Sequence, residues 1–406
     1  MVENKQKSLD GVESVKRKKI VLFTLIFMLT LLVQPEPHLA LAEGKIQKPK
    51  ASAKKLQQVK LTITVRSSPH AALVSDLQIE SREFSAALLQ AKQMPAADAI
   101  VFPDIDITML STSGEKHLRL EQSGQLWNEA TAERTILPQK LSKKLVGFAK
   151  ALRVQHYGRL ISWQESRQLL PNKSIFSVTE LETGLTFQVQ RRAGSDHADV
   201  QPLTKEDTRI MKQIYNDKWS WKRKAVLIHS SDAWIAASMN GMPHGGDGIP
   251  ENGFSGHFCI HFQGSSTHKS DSPDPAHQMM VHKAAGQAQL YLDASTPLVL
   301  ARSFIEMLYH QDHEMLLLLG EKMPKEKLAS FMQLTETLVS IREQTPPKAK
   351  GKEPPDENKL SEALTTELKL PVSIHQLNMP RKNGYYTFFF KRESAQSPWR
   401  IQDIAS

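Results

Sequence analysis

Alternating apolar and polar positions begin the foldable part of the chain, where Leu61-Thr-Ile-Thr-Val65 predicts a strand with one buried face. Ile100-Val-Phe102, Ile105-Asp-Ile107 and His117-Leu-Arg-Leu120 predict further strands. The period then lengthens. Leu141, Leu145, Phe148, Ala149 and Leu152 recur at helical spacing behind Pro138. Ser162-Trp-Gln-Glu165 has the form of a capping box for a short helix ending at Pro171. Residues 59–172 therefore read as a small α+β domain.

The next stretch, 173–290, is richer in strands. Ile175 to Val178 and Leu185 to Val189 flank Glu182-Thr-Gly184 as strand, turn and strand. Thr204 is placed to cap a helix running to about Tyr215. Ala225 to Ile228 and Trp234 to Ser238 predict a hairpin that leads into a glycine-rich loop. Asp274-Pro275 then opens a helix that Gly286 stops.

Over 295–406, Thr296-Pro297 caps a helix with Leu300, Phe304 and Leu308 on one face, and a second helix carries Leu328, Phe331, Met332 and Leu338. Thr345 to Glu357 reads as an exposed loop. Val372 to Ile374 and Tyr385 to Phe390 are expected to pair across Asn383-Gly384, a strong hairpin signal, before a last strand from Trp399 to Ile404. Helices followed by an antiparallel sheet resemble an NTF2-like cone, a resemblance that implies no chemistry of its own. The whole is an α+β multidomain chain, as its 406 residues also suggest.

The amino terminus departs from these patterns. Lys16-Arg-Lys-Lys19, the apolar run from Ile20 to Val33 and Ala40-Leu-Ala42 form the three parts of a secretory signal peptide over 1–42. The expectation is a secreted protein at a cell wall or membrane surface, with an uncleaved signal as its only membrane attachment. Residues 43–58, with Lys45, Lys48, Lys50, Lys54 and Lys55, read as a solvated basic linker. A net charge of +9 suits an anionic wall polymer such as peptidoglycan with its associated polyanions. Nucleic acid is not expected, because the basic residues are spread out and not interleaved with stacking aromatics.

The candidate chemistry lies between Met239 and His268. This stretch holds Cys259, the only cysteine in the sequence, with His244, His257, His261 and His268 around it. An exported chain with one cysteine has no internal disulfide, so a thiol among histidines and glycines points to reactivity. A neighbouring imidazole can take the thiol proton and leave a thiolate to attack a carbonyl.

His244-Gly245, the glycine-rich loop and Ser255-Gly-His-Phe-Cys-Ile-His261 resemble the signature of L,D-transpeptidases of the YkuD type. There, a His-Gly is followed by Ser-His-Gly-Cys-Ile-Arg. Phe258 stands where that family has glycine, and His261 where it has arginine. The resemblance implies Cys259 as nucleophile, His244 as its base and His257 beside them. It also implies Gly245, Ser255, Gly256 and His261 as substrate contacts, with His261 replacing the arginine. The implied reaction is acyl transfer on peptidoglycan stem peptides, without a cofactor. His197 and Asp199 read either as a supporting pair behind the site or as a turn.

Two other readings stand beside this one. His257, Cys259 and His261 share a face if extended and could bind zinc, as in a zinc-dependent murein peptidase. Alternatively, the chain is a non-enzymatic wall-binding module. His229, His277, His282, His310 and His313 read as structural.

Overall fold

The computed structural model describes residues 58–230, 233–246, 248–267, 270–344 and 361–406. The segments read as a signal peptide, as nearly all of the basic linker and as an exposed loop from Thr345 to Glu357, together with His268, lie outside them. Among the described residues the chain is a mixed α+β protein built on three principal sheets.

The first sheet is made by β1 (Lys60–Val65), β2 (Ser75–Glu80), β3 (Lys92–Pro95), β4 (Val101–Ser111), β5 (Gly114–Glu121), β6 (Leu126–Asn128) and β7 (Glu133–Ile136), in the order β2-β1-β4-β5-β6-β7-β3. α1 (Arg82–Gln90) lies between β2 and β3 in the chain, and α2 (Gln139–His156) follows β7. The alternation that predicts β1 buries Leu61, Ile63 and Val65, and Ile63 pairs with Ile107 of β4. The helical stripe buries Leu141, Leu145, Ala149 and Leu152 in the same core.

The second sheet closes on itself. α3 (Trp163–Leu169), β8 (Ile175–Glu180), β9 (Thr186–Ala193), β10 (Ala198–Pro202), α4 (Lys205–Ile214), β11 (Lys224–Ser230), β12 (Ala233–Met239) and β13 (Phe258–His261) follow in sequence. The strands form a closed antiparallel barrel in the order β10-β13-β12-β11-β8-β9. Closure leaves these strands no open edge. Phe187, Val200, Ile228, Ala237, Phe258 and Ile260 fill the barrel. Capping boxes start α3 at Ser162 and α4 at Thr204. Ile161, Trp163 and Leu170 join the barrel's core, Trp163 stacking on Phe262 at 5.8 Å, so the segment carrying α3 packs with the strands that follow it.

The short pair β14 (Ser266–Thr267) and β15 (Ser270–Pro273) precedes α5 (Pro275–Ala284), α6 (Ala288–Asp293), α7 (Pro297–His310), α8 (His313–Leu319) and α9 (Lys325–Thr337). The third sheet then runs β16 (Leu338–Glu343), β17 (Thr365–Gln376), β18 (Lys382–Lys391) and β19 (Arg400–Ala405) in simple order. Ala225, Leu227 and Ala236 face away from the barrel interior and share a core with Met279, Met280 and Ala284 of α5. That core continues to Phe304 of α7, whose ring meets Phe331 at 5.2 Å and Phe388 at 6.0 Å. Lys283 ties the assembly electrostatically: its buried ammonium lies 2.9 Å from Glu182 and 2.7 Å from Asp312. Among the described residues, no helix is long and apolar enough to cross a membrane.

Two expectations are corrected. Leu338 is not a helical residue but the first of β16. Asn383-Gly384 does not form the hairpin turn; both residues are paired within β18, opposite Ser373 and Val372. The chain reverses over 377–381, where Asn378 takes the left-handed conformation with φ of 59°. Burial sets this register, because it places Tyr386 opposite Leu370 and Phe388 opposite Leu368, facing the helices.

Candidate functional site

β13 delivers the cysteine. Phe258 and Ile260 point into the barrel, so the alternation of a strand turns Cys259 and His261 outward. β10 runs antiparallel beside it with Asp199 directly opposite Cys259, and the carboxylate Oδ1 lies 3.8 Å from Sγ. Phe258 thus fills the barrel where the resembling family has glycine, its ring 6.2 Å from Phe187 and 5.9 Å from Phe254.

The glycine-rich loop returns His244 to the same place. His244 and His257 exchange both backbone hydrogen bonds, His244 N to His257 O at 2.9 Å and His257 N to His244 O at 2.7 Å. Two glycines permit this. Gly245 and Gly256 have φ of 76° and 82°, and a Cβ would come within 2.2 Å of the His257 ring at Gly245 and of the His244 carbonyl at Gly256. His244 Nε2 is consequently 3.2 Å from Cys259 Sγ. The other ring nitrogen, Nδ1, lies 2.8 Å from the Met242 carbonyl. A carbonyl only accepts, so Nδ1 carries a hydrogen, and in the neutral ring Nε2 turns a lone pair to the thiol.

A second histidine reaches the thiol from β10. His197 is 1% exposed, with Nδ1 2.9 Å from the Ser266 carbonyl and Nε2 3.3 Å from Asp199 Oδ1. Both neighbours are acceptors, so both ring nitrogens hold hydrogens and the ring is an imidazolium. Burial alone would strip that proton, but hydrogen bonds to Asp199 and Cys259 outweigh it and push the pKa up to about 10. Burial likewise works to keep Cys259 protonated. Hydrogen bonding with His197 and with His244, and the positive charge each ring carries when protonated, overcome it and hold the thiol below its ordinary pKa. The hydrogen bond to Cys259 raises the pKa of His244 in turn, against its partial burial.

His261 is 2% exposed and stacked between His197 and His277, with ring centroids 4.4 and 3.7 Å away. Burial, then the neighbouring His277 and His197, hold its pKa well below the ordinary value, so it is neutral. It supports His197 from beneath and offers no surface to a substrate. Ser255, Gly256 and Gly245, by contrast, line an open cleft of about 340 Å³ with Gly246, Ile249 and Phe254. The His257 N–H is spent on the His244 carbonyl and does not face this cleft as a donor to a substrate oxygen.

Among the described residues, potential metal donors fall into two groups that share the thiol: His197, Cys259 and His261, and His244, His257 and Cys259, the donor atoms of each lying within 4.8 Å of one another. The set expected from extended spacing, His257, Cys259 and His261, is divided between the two groups.

Several contributors are missed by the sequence reading. The Met242 and Ser266 carbonyls each hold a histidine Nδ1–H and so orient the rings, and backbone carbonyls leave no trace in residue type. Trp221 is 41% exposed with its ring 5.1 Å from His244; the Trp219-Ser-Trp221 repeat in a chain with six tryptophans is the signal that could have found it. Asn240 is buried beside the cysteine strand, its N–H 3.3 Å from the Cys259 carbonyl and its Oδ1 without a hydrogen-bond partner.

Comparison of the chain with protein-family models, with curated proteins and with solved structures finds no match.

Proposed function

We propose that this protein is an exported cysteine acyltransferase acting on the peptide stems of peptidoglycan, in the manner of an L,D-transpeptidase. The observation that carries this reading is the 3.2 Å contact between Cys259 Sγ and Nε2 of His244, whose Nδ1 is held by the Met242 carbonyl. It gives a thiol, a base oriented towards it, and a second imidazole at His197, charged at neutral pH, that favours the thiolate. A lone buried structural cysteine needs none of these.

In the proposed reaction, His244 takes the Cys259 proton and the thiolate attacks the carbonyl of an L,D-peptide bond. His244 returns the proton to the departing amine, leaving a thioester on Cys259. An acceptor amine or water then releases the acyl group, its proton passing back through His244. The cleft beside Gly245, Ser255 and Gly256 holds the stem, and Trp221 forms an apolar wall at the base. His261 has no part in binding the substrate carboxylate. The signal peptide and basic linker place the enzyme at the anionic wall.

The test is intact-protein mass spectrometry after incubation with a tetrapeptide stem. A thioester adduct equal to the stem less its terminal D-amino acid is expected on the native chain and absent from Cys259→Ser. A substrate that is neither acylated onto Cys259 nor cleaved would leave the wall-binding reading in its place.

A further inference from the structure

We propose that Cys259 Sγ, His244 Nε2, His257 Nε2 and Asp199 Oδ1 form a closed four-donor site for one thiophilic divalent cation of the Zn²⁺ class, which holds the nucleophile in a resting state. The resting role rests on the reading of Cys259 as a nucleophile; the binding site does not.

The donor spacing carries the inference. Cys259 Sγ is 3.2 Å from His244 Nε2 and 3.8 Å from Asp199 Oδ1, and Asp199 Oδ1 is 3.5 Å from His257 Nε2. Metal bonds of about 2.0–2.3 Å at tetrahedral angles put neighbouring donors roughly 3.3–3.6 Å apart. The three measured edges bracket that range. His244, His257 and Cys259 also bring their donor atoms together within 4.8 Å as a set.

The surroundings are those of a metal ligand sphere. The Met242 carbonyl fixes His244 with Nε2 inward, and His197 holds the Asp199 carboxylate from outside the donor set. The alternative group, with His197 as ligand, is disfavoured because both its ring nitrogens carry hydrogens held by Ser266 and Asp199. His257 is 20% exposed, which gives an ion an approach from solvent. Mixed sulfur, nitrogen and oxygen donors suit zinc better than calcium or magnesium.

Four protein donors leave no open coordination position. Catalytic zinc keeps one for water or substrate, whereas a closed site does not. The ion therefore silences this centre. Coordination takes the Cys259 proton, which passes to solvent, and uses the Nε2 lone pair that would otherwise accept it. Acyl transfer requires the ion to leave.

The experiment uses the mature chain freed of metal by chelator and dialysis. Calorimetric titration with Zn²⁺ should give one saturable site, and Co²⁺ should produce a thiolate-to-cobalt charge-transfer band. His257→Ala and Asp199→Asn should each weaken Zn²⁺ by about tenfold or more, whereas His229→Ala, outside the donor set, should bind as the native chain does. Saturating Zn²⁺ should suppress alkylation of Cys259 by about tenfold or more, and chelator should restore it. Absence of a saturable site, a Co²⁺ spectrum without the thiolate band, or equal affinity in all the variants would overturn the site. Alkylation unaffected by bound Zn²⁺ would overturn its resting role. Thiol reactivity in chelator that depends on His244 supports the acyl-transfer reading whichever way the metal titration falls.

Discussion

Asp199 and Cys259 stand opposite each other on neighbouring barrel strands, with the carboxylate Oδ1 3.8 Å from the thiol Sγ. A carboxylate so placed opposes a thiolate. His197 reverses the balance: it lies 3.3 Å from the same oxygen and also hydrogen-bonds the cysteine, so a fixed cation is shared between the two anions. The thiol's reactivity therefore depends on a buried imidazolium as well as on the adjacent base.

Replacing His197 with glutamine should make this visible. His197→Gln keeps hydrogen-bonding capacity but removes the cation while Asp199 stays charged, so the thiol pKa should rise. At pH 7 the rate of Cys259 alkylation should fall by about tenfold. An unchanged rate would show that His197 does not set the thiol's charge.

The glycines of the loop should differ sharply in tolerance. Gly256→Ala places a Cβ 2.2 Å from the His244 carbonyl at a φ of 82°, whereas Gly246→Ala meets nothing within 4 Å. Thermal melting should show Gly256→Ala destabilised by about 1–3 kcal/mol, with slowed alkylation as His244 is displaced. Gly246→Ala should melt as the native protein does. Equal behaviour of the two would contradict the close approach of the histidine backbones.

Phe258 tests where this chain departs from the family it resembles. Its ring is fully buried among barrel residues, so Phe258→Ala should cost about 3–5 kcal/mol in chemical denaturation. A neutral substitution would mean that the residue preceding the cysteine is not part of the core.

Why some of this was legible and some was not is a matter of range. Ser162, Thr204, Asp274 and Thr296 cap their helices through contacts within three residues, and short-range patterns carry such signals. The pairing of Asp199 with Cys259 spans 60 residues, and barrel closure spans more, so neither leaves a local mark. α8 escaped because His313–Leu319 is a short, almost continuous apolar run without helical periodicity. Asn383-Gly384 misled because turn propensity yields to the burial of Tyr386 and Phe388. The composition of the site, one thiol among histidines, could be read directly. His244 beside the thiol was expected from the resemblance, but the place of His261, stacked beneath His197 and away from any substrate, required the fold.

Acid should destabilise the protein before most of its carboxylates titrate; Glu306, which burial raises to about 7, is the exception. Burial lowers the pKa of His156 to about 4 and of His310 to about 3, and lowers His261 and His277 well below the ordinary value. Below about pH 6.5 the unfolded chain takes up protons at these positions and the folded chain does not, so stability falls as pH falls, by up to about 1.4 kcal/mol per pH unit for each. His197, raised to about 10, acts in the opposite sense: its contribution is complete below pH 6.5 and is lost as pH rises towards 10. With these four and His282, which burial also lowers, set against His197, His244 and the raised Glu306, the melting temperature should drop between pH 6.5 and 5, and His310→Gln should lessen the drop. A melting temperature that is flat or rises on acidification over that interval would contradict the buried neutral histidines.

The central claim is that Cys259 and His244 act as nucleophile and base. Its most direct test is the rate of Cys259 alkylation by iodoacetamide from pH 5 to 9 in the presence of chelator, for the native chain and for His244→Ala. The account predicts a thiol that reacts well below the ordinary cysteine pKa of about 8.5 and is markedly slowed by loss of His244. A thiol that titrates at or above that value, at the same rate in both proteins, would contradict it.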